Sequence, residues 1–215
     1  AFADSISLLS LVFDETSSAI GLCTFDGSVT FSFSQEIINN STDEALAGYG
    51  KKIEIKLDEN NGISVRDFGR GVPFGIRENG ENVLVSIYTQ SHTGGKFNHD
   101  AYKNASGLNG VGGSCVCLSS KSFIVRSFRD GKMAEASFTK GELDNYKEGT
   151  TKEKNGTYVW FIPDEEVFSN GEIAYSYDRI CKDIKDISYL YSGISFTVEG
   201  EGKKAEYCAK NGILD

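Results

Sequence analysis

Residues 35–48 read Gln35-Glu36-Ile37-Ile38-Asn39-Asn40-Ser41-Thr42-Asp43-Glu44-Ala45-Leu46-Ala47-Gly48. Ile38, Ser41 and Ala45 recur with small or apolar neighbours at helical spacing, and Gly48 supplies a C-terminal stop, so the stretch predicts a helix. Glu36, Asn40 and either Asp43 or Glu44 then lie at i, i+4 and i+7 or i+8, on one face. Acid, amide, acid on one face is common on a solvated surface. It is also what hydrolytic chemistry asks for: Glu36 can orient water as a general base, and the Asn40 carbonyl can ligate a hard cation such as Mg²⁺. Just upstream, Val29, Phe31 and Phe33 alternate as a half-buried strand would, while Val29, Phe33 and Ile37 repeat every four residues. Both readings fit that segment.

Downstream, Lys52 to Leu57 and Ile63 to Asp67 alternate apolar and polar residues around Asn61-Gly62, which predicts a tight hairpin. A second hairpin is expected from Ser122–Phe128 and Met133–Phe138 across Asp130-Gly131, and a strand from Thr157 to Ile162 before Pro163. Val83–Tyr88 and Ile173–Ser188 have helical spacing, and Ile194–Val198 reads as strand. Gly141–Lys154 is polar and charged and reads as a long loop. Helices mixed with hairpin-linked strands, without a steady strand–helix–strand rhythm, indicate an α+β fold, a two-layer sandwich, in one domain spanning residues 1–215.

Composition narrows the function. The chain of 215 residues carries 22 basic and 31 acidic residues, a formal charge of −9, opposite in sign to a stand-alone nucleic-acid binder. Tight DNA binding by this chain is not expected. No run approaches the ~20 apolar residues of a membrane span, and Ala1–Val12 lacks a basic start and a cleavage site. Five cysteines without paired metal spacing argue for reduced thiols in a reducing, cytoplasmic setting rather than a disulfide framework or structural zinc. The 24 glycines exceed the usual ~7% and cluster at 69–75, 94–95 and 107–113, where backbone must turn or approach something closely.

Two of those clusters carry chemistry. Asp67-Phe68-Gly69-Arg70-Gly71-Val72-Pro73 puts a carboxylate at a strand end before a turn able to approach a flat ligand; Asp before Gly is also ordinary turn chemistry. Thr93-Gly94-Gly95-Lys96-Phe97 and Ser106-Gly107-Leu108-Asn109-Gly110-Val111-Gly112-Gly113 lead into an apolar Ser114–Leu118 segment able to open a helix, where successive N–H groups can hold phosphates. The Gly-Lys-Ser/Thr of a P-loop is missing, and no clear strand precedes the glycines as a Rossmann fingerprint requires.

In this order the motifs resemble the GHKL ATPase superfamily, and within it the B subunits of the bacterial type IIA topoisomerases, gyrase or topoisomerase IV. The resemblance continues through Asn155-Gly156-Thr157 and Phe161-Ile162-Pro163 to Tyr189–Gly193, covering nearly the whole chain. It implies a Bergerat-type fold, a mixed, mostly antiparallel sheet with helices on one face. It implies Glu36 as the base for the attacking water, Asn40 as the Mg²⁺ ligand, and Asp67 as acceptor of the adenine amino group of ATP. Thr157 would support the adenine through a water, with Val65, Val72, Ile87 and Val159 as apolar walls beside Gly71 and Pro73. Lys96 and the backbone of Leu108, Asn109, Gly110, Val111 and Gly112 would hold the phosphates under a lid formed by 94–113, with Tyr102 and Asn109 bordering the nucleotide. Arg70 would pair with Glu44 at the mouth where, with Arg129, coumarin-type inhibitors bind.

The pattern also departs from the family. Glu15-Thr-Ser-Ser-Ala-Ile-Gly21 stands where relatives show Arg-Pro-Gly-Met-Tyr-Ile-Gly, Ser32 stands in place of a frequent His, Asn39 of a frequent Asp, and Asn109 of a frequent His. The resemblance implies an ATP-hydrolysing domain that powers strand passage with a topoisomerase A subunit and DNA. Alone it would be largely monomeric and turn over slowly. The alternative is a divergent module that binds ATP as a conformational or partner-binding switch. The chain stops about where the family's ATP-binding domain ends, so the transducer domain is expected to be absent.

Overall fold

The computed structural model describes residues 29–90, 112–167 and 175–214. In these segments the elements are α1 (Val29–Leu46), β1 (Lys52–Leu57), β2 (Ile63–Asp67), α2 (Val83–Thr89), α3 (Gly112–Leu118), β3 (Ser120–Arg129), β4 (Lys132–Thr139), β5 (Glu142–Thr150), β6 (Gly156–Pro163), α4 (Tyr177–Leu190), β7 (Ser195–Gly200) and β8 (Lys203–Tyr207). The strands form one eight-stranded sheet in the order β5-β4-β3-β6-β2-β1-β7-β8. Among the described strands, β1 and β7 run parallel and the other neighbours are antiparallel. This is the α+β sandwich with the mixed, mostly antiparallel sheet.

The two-residue period of the strands builds the core. Val198, Ile55, Val65, Val159, Val125 and Ala136 fall in one row across β7-β1-β2-β6-β3-β4, and Ile63, Phe161, Phe123 and Phe138 form the next. All are buried, as are Ile37 and Ile38 of α1, Leu84 of α2, Val116 of α3 and Ile184 of α4, which pack over the same face. α1 lies on β1, β2 and β6 and touches α3, while α4 covers β7 and β8.

Several local expectations are corrected. The segment from Val29 is helical, so the four-residue repeat prevails over the alternation, with no breaker before Gly48. Gly48 (φ +92°) ends α1 in a Schellman arrangement: Tyr49 N–H donates to the Glu44 carbonyl at 3.1 Å and Gly48 N–H to that of Ala45 at 3.1 Å. The first hairpin is not a two-residue turn. Its connection, 58–62, folds around Asp58, whose Oδ1 accepts the N–H groups of Asn60 (2.8 Å) and Gly62 (2.9 Å) while Oδ2 accepts Trp160 Nε1–H (2.7 Å). The second hairpin does turn on Asp130 (φ +52°) and Gly131 (φ +77°), both left-handed as a primed turn requires.

Gly141–Lys154 is not a loop, since it contains β5, an edge strand paired to β4 from Lys132↔Thr150 to Thr139↔Glu142. Nearly every β5 side chain is exposed, so no apolar alternation marks it; the backbone ladder holds it, with Tyr146 against the core, Lys147 paired to Glu135 at 2.7 Å and Thr139 donating to Asp144 at 2.8 Å. The last helix is described from Tyr177 to Leu190, not from Ile173, which lies outside the described residues. Among the described residues, no helix is long and apolar enough to cross a membrane, and Cys115, Cys117, Cys181 and Cys208 are free thiols.

Candidate active site

Following the core rows toward the β2 C-terminus, Ile53 pairs with Phe196 on one side and with Asp67 on the other, so the next residue facing the helices is a carboxylate. Asp67 is only 6% exposed. Its Oδ1 accepts Gly69 N–H at 2.9 Å and Thr157 N–H at 3.1 Å, and among the described residues Oδ2 takes no hydrogen bond. Burial pushes the Asp67 carboxyl above its ordinary value, against the pull of those N–H groups and of the Arg66 charge. A buried carboxylate with one oxygen satisfied and the other open is an acceptor waiting for a donor.

The turn after it is held from three elements. Gly69 leaves no room for a side chain because the Glu44 side chain of α1 occupies that space. Glu44 Oε1 accepts both the Arg70 backbone N–H (2.9 Å) and Arg70 Nε–H (2.8 Å), and Oε2 accepts Nη2–H at 3.0 Å. Burial works to raise the Glu44 carboxyl, but these bonds and the charges of Arg70 and Arg129 outweigh it and hold it below its ordinary value. The Arg70 guanidinium also lies 4.0 Å from the Tyr49 ring centroid. Arg129 donates to the Gly71 carbonyl at 2.5 Å, Ser127 Oγ–H to the Val72 carbonyl at 2.6 Å, and Val72 N–H to Thr157 Oγ1 at 3.2 Å. Val65 and Val159 lie buried below, and Val72 and Ile87 pack half-buried against the core.

At the other end, the Glu36 carboxylate fills the space a side chain on Gly112 would need, and Asn40 Nδ2 stands 4.0 Å from the Cβ position of Gly113. α1 thus lays Glu36 and Asn40 against the start of α3. Asn40 is exposed, and its amide makes no hydrogen bond among the described residues. Burial raises the Glu36 carboxyl and the Asp43 charge adds to it. Tyr88 joins the two ends. Its ring comes within 3.2 Å of the Gly113 Cβ position, and the Asp67 charge reinforces burial in driving its phenol upward.

The structure therefore gathers Glu36, Asn40, Glu44, Asp67, Arg70, Gly71, Val72, Gly112, Arg129 and Thr157 along α1 and the β2 end. Pro73 follows in the same turn, half-buried. Lys96, Tyr102, Leu108, Asn109, Gly110 and Val111 lie outside the described residues, as does the side chain of Ser32. Sequence reasoning missed Ser127, fully buried and bonded to the turn; its signal is a lone hydroxyl on the core-facing side of β3.

The family model described as the histidine kinase-, DNA gyrase B-, and HSP90-like ATPase matches residues 32–167. The chain belongs to this ATPase family. The match takes in most of α1, the Asp67 turn and the start of α3, the elements that frame the site. The chain is 41% identical over 181 residues to the B subunit of DNA topoisomerase 4 from Borreliella burgdorferi, covering 84% of this chain and 28% of that protein. It is 36% identical over 184 residues to the B subunit of DNA gyrase from Enterococcus faecalis, covering 83% of this chain and 28% of the relative. The chain thus spans little more than a quarter of these relatives. Among solved structures, the 43K ATPase domain of Thermus thermophilus gyrase B in complex with an aminocoumarin superposes with a TM-score of 0.71 at 31% identity, over 84% of this chain and 46% of that one.

Proposed function

We propose that this ATPase domain serves the B subunit of a type IIA topoisomerase, binding ATP with Mg²⁺ and hydrolysing it to drive DNA strand passage. The observation that carries the reading is the buried Asp67, whose Oδ2, without a hydrogen bond among the described residues, suits the 6-amino group of adenine while Oδ1 is held by two backbone N–H groups. The valines beneath it suit a flat ring, and Thr157, its N–H on Asp67 and its hydroxyl on the turn, suits a water-bridged contact.

From the adenine the triphosphate would run along α1 toward Gly112. Glu36 there accepts a proton from the attacking water, and its raised pKa suits a base that must hold that proton. A hard cation carried by phosphates keeps several waters and asks for only one or two protein oxygens, and the exposed Asn40 amide, which makes no hydrogen bond among the described residues, can supply one. Bound there, Mg²⁺ would neutralise charge on the phosphoryl oxygens. The chain's own residues otherwise orient and bind, so catalysis is mainly positioning. Lys96 and the 108–112 backbone are proposed to hold the phosphates, Tyr102 to border the nucleotide, and the Glu44–Arg70–Arg129 cluster at the rim to take coumarin-type inhibitors. The A subunit and DNA would be partners of the whole cytoplasmic enzyme.

The test is phosphate release by a longer protein carrying this chain and its downstream segment, with and without Glu36→Ala. Loss of turnover in the variant with ATP binding kept is the expected result. Indistinguishable rates would remove the enzymatic reading and leave a nucleotide-binding switch.

A further inference from the structure

Arg66 immediately precedes Asp67 and so points to the opposite face of the sheet, in register with Glu54 of β1 and Tyr158 of β6. Its guanidinium carbon stands 4.7 Å from the Phe68 ring centroid and 4.5 Å from that of Phe128, a cation held between two aromatic rings. From that clamp Nη1–H donates to the Asp67 carbonyl and Nη2–H to the Lys154 carbonyl at 2.6 Å. Gly156 lies beneath: a side chain there would collide with the Asp67 carbonyl and with Arg66 itself. The next residue, Thr157, gives its N–H to Asp67 Oδ1. One planar group therefore ties together the main chain that carries the Asp67 carboxylate and the strand entry that supplies one of its two donors.

We propose that Arg66 is a positioning residue for purine selection, setting from behind the sheet the direction in which Asp67 Oδ2 meets the 6-amino group. The proposal rests on the assignment of Asp67 to the adenine. Arg66 touches no ligand in this scheme; it acts through the Asp67 and Lys154 carbonyls. A guanidinium suits the task because its plane fills the slot between the rings while two of its N–H groups diverge to separate carbonyls.

The test is calorimetric titration of the chain with ATP and with inosine triphosphate, which differs in carrying a 6-oxo group. Wild type, Arg66→Ala, Arg66→Lys and Asp67→Asn are compared, with melting temperatures taken on the same samples. General loss of structure weakens both nucleotides alike and leaves their ratio unchanged; misdirection of one acceptor changes the ratio. Arg66→Ala is expected to cut the ATP preference about tenfold, the size of one misaligned hydrogen bond to a charged acceptor, with inosine triphosphate affinity within about twofold of wild type. Arg66→Lys, which restores a donor but no planar group, should recover part of the preference. A wild-type ratio in Arg66→Ala, or in Arg66→Lys if the alanine variant does not fold, overturns the proposal provided that Asp67→Asn has lost the preference. If Asp67→Asn keeps it, the adenine assignment itself fails and Arg66 falls with it.

Discussion

At Asp67 an ionisable side chain stands in a core-facing row beside Ile53 and Phe196, and burial pushes its carboxyl upward. A carboxylate whose folded pKa is raised binds its proton more readily folded than unfolded, so above that raised pKa its ionisation works against the fold. Asp67→Asn keeps an oxygen for the Gly69 and Thr157 N–H groups and removes the buried charge. Without nucleotide, the variant should therefore melt no lower than wild type at pH 7, and any advantage should shrink as acid protonates the native carboxyl; thermal melts across pH check both. For Glu36, raised by burial and then by Asp43, the acid limb of the rate profile should lie above the ordinary glutamate value of 4.5 and move to lower pH in Asp43→Asn. A pH series of kcat measures it. Asp67, Glu44 and Arg70 were legible in the sequence through the order of several motifs that together resemble the ATPase family; each motif alone has an ordinary reading, as a turn or as a solvated helix face. Ser127 and Arg66 were not legible, since what they do depends on strands brought alongside only by folding.

The helix that carries the site needs both a firm end and an anchor. Gly48 provides the end at φ +92°, a conformation an alanine adopts only with strain, and nothing crowds its Cβ position. Gly48→Ala should therefore cost about 1 kcal/mol, read from denaturant midpoints, and loosen the turn bearing Glu44. The Glu44–Arg70 fork provides the anchor, with 14% and 31% of the two side chains exposed. Because Glu44 sits below its ordinary value, the contribution of the pair is present above the unfolded carboxylate pKa and fades as pH falls through the folded one. Arg70→Ala should lower stability by about 1 kcal/mol at pH 7 and less in acid. Periodicity revealed α1, α2 and most strands because each buries one face. It could not reveal β5, which buries almost none, nor that Asp58 would gather the first hairpin turn through a contact with the distant Trp160.

Taken as one body, the sheet supplies a rigid floor whose apolar rows end at Asp67, and α1 runs from that edge to the start of α3. Nucleotide bound across both ends should stabilise the fold by mass action, by about 2.7 kcal/mol at a hundredfold excess over Kd, so saturating ATP should raise the melting temperature by several degrees. Glu36→Ala should keep that shift, since it removes the proposed base and leaves the proposed purine contact at Asp67 intact. The most direct test is a titration of wild type and Asp67→Asn with a non-hydrolysable ATP analogue, with and without Mg²⁺. Wild type should bind, more weakly when Mg²⁺ is withdrawn, and Asp67→Asn should not bind; equal affinity in the two proteins would mean that the purine does not meet Asp67.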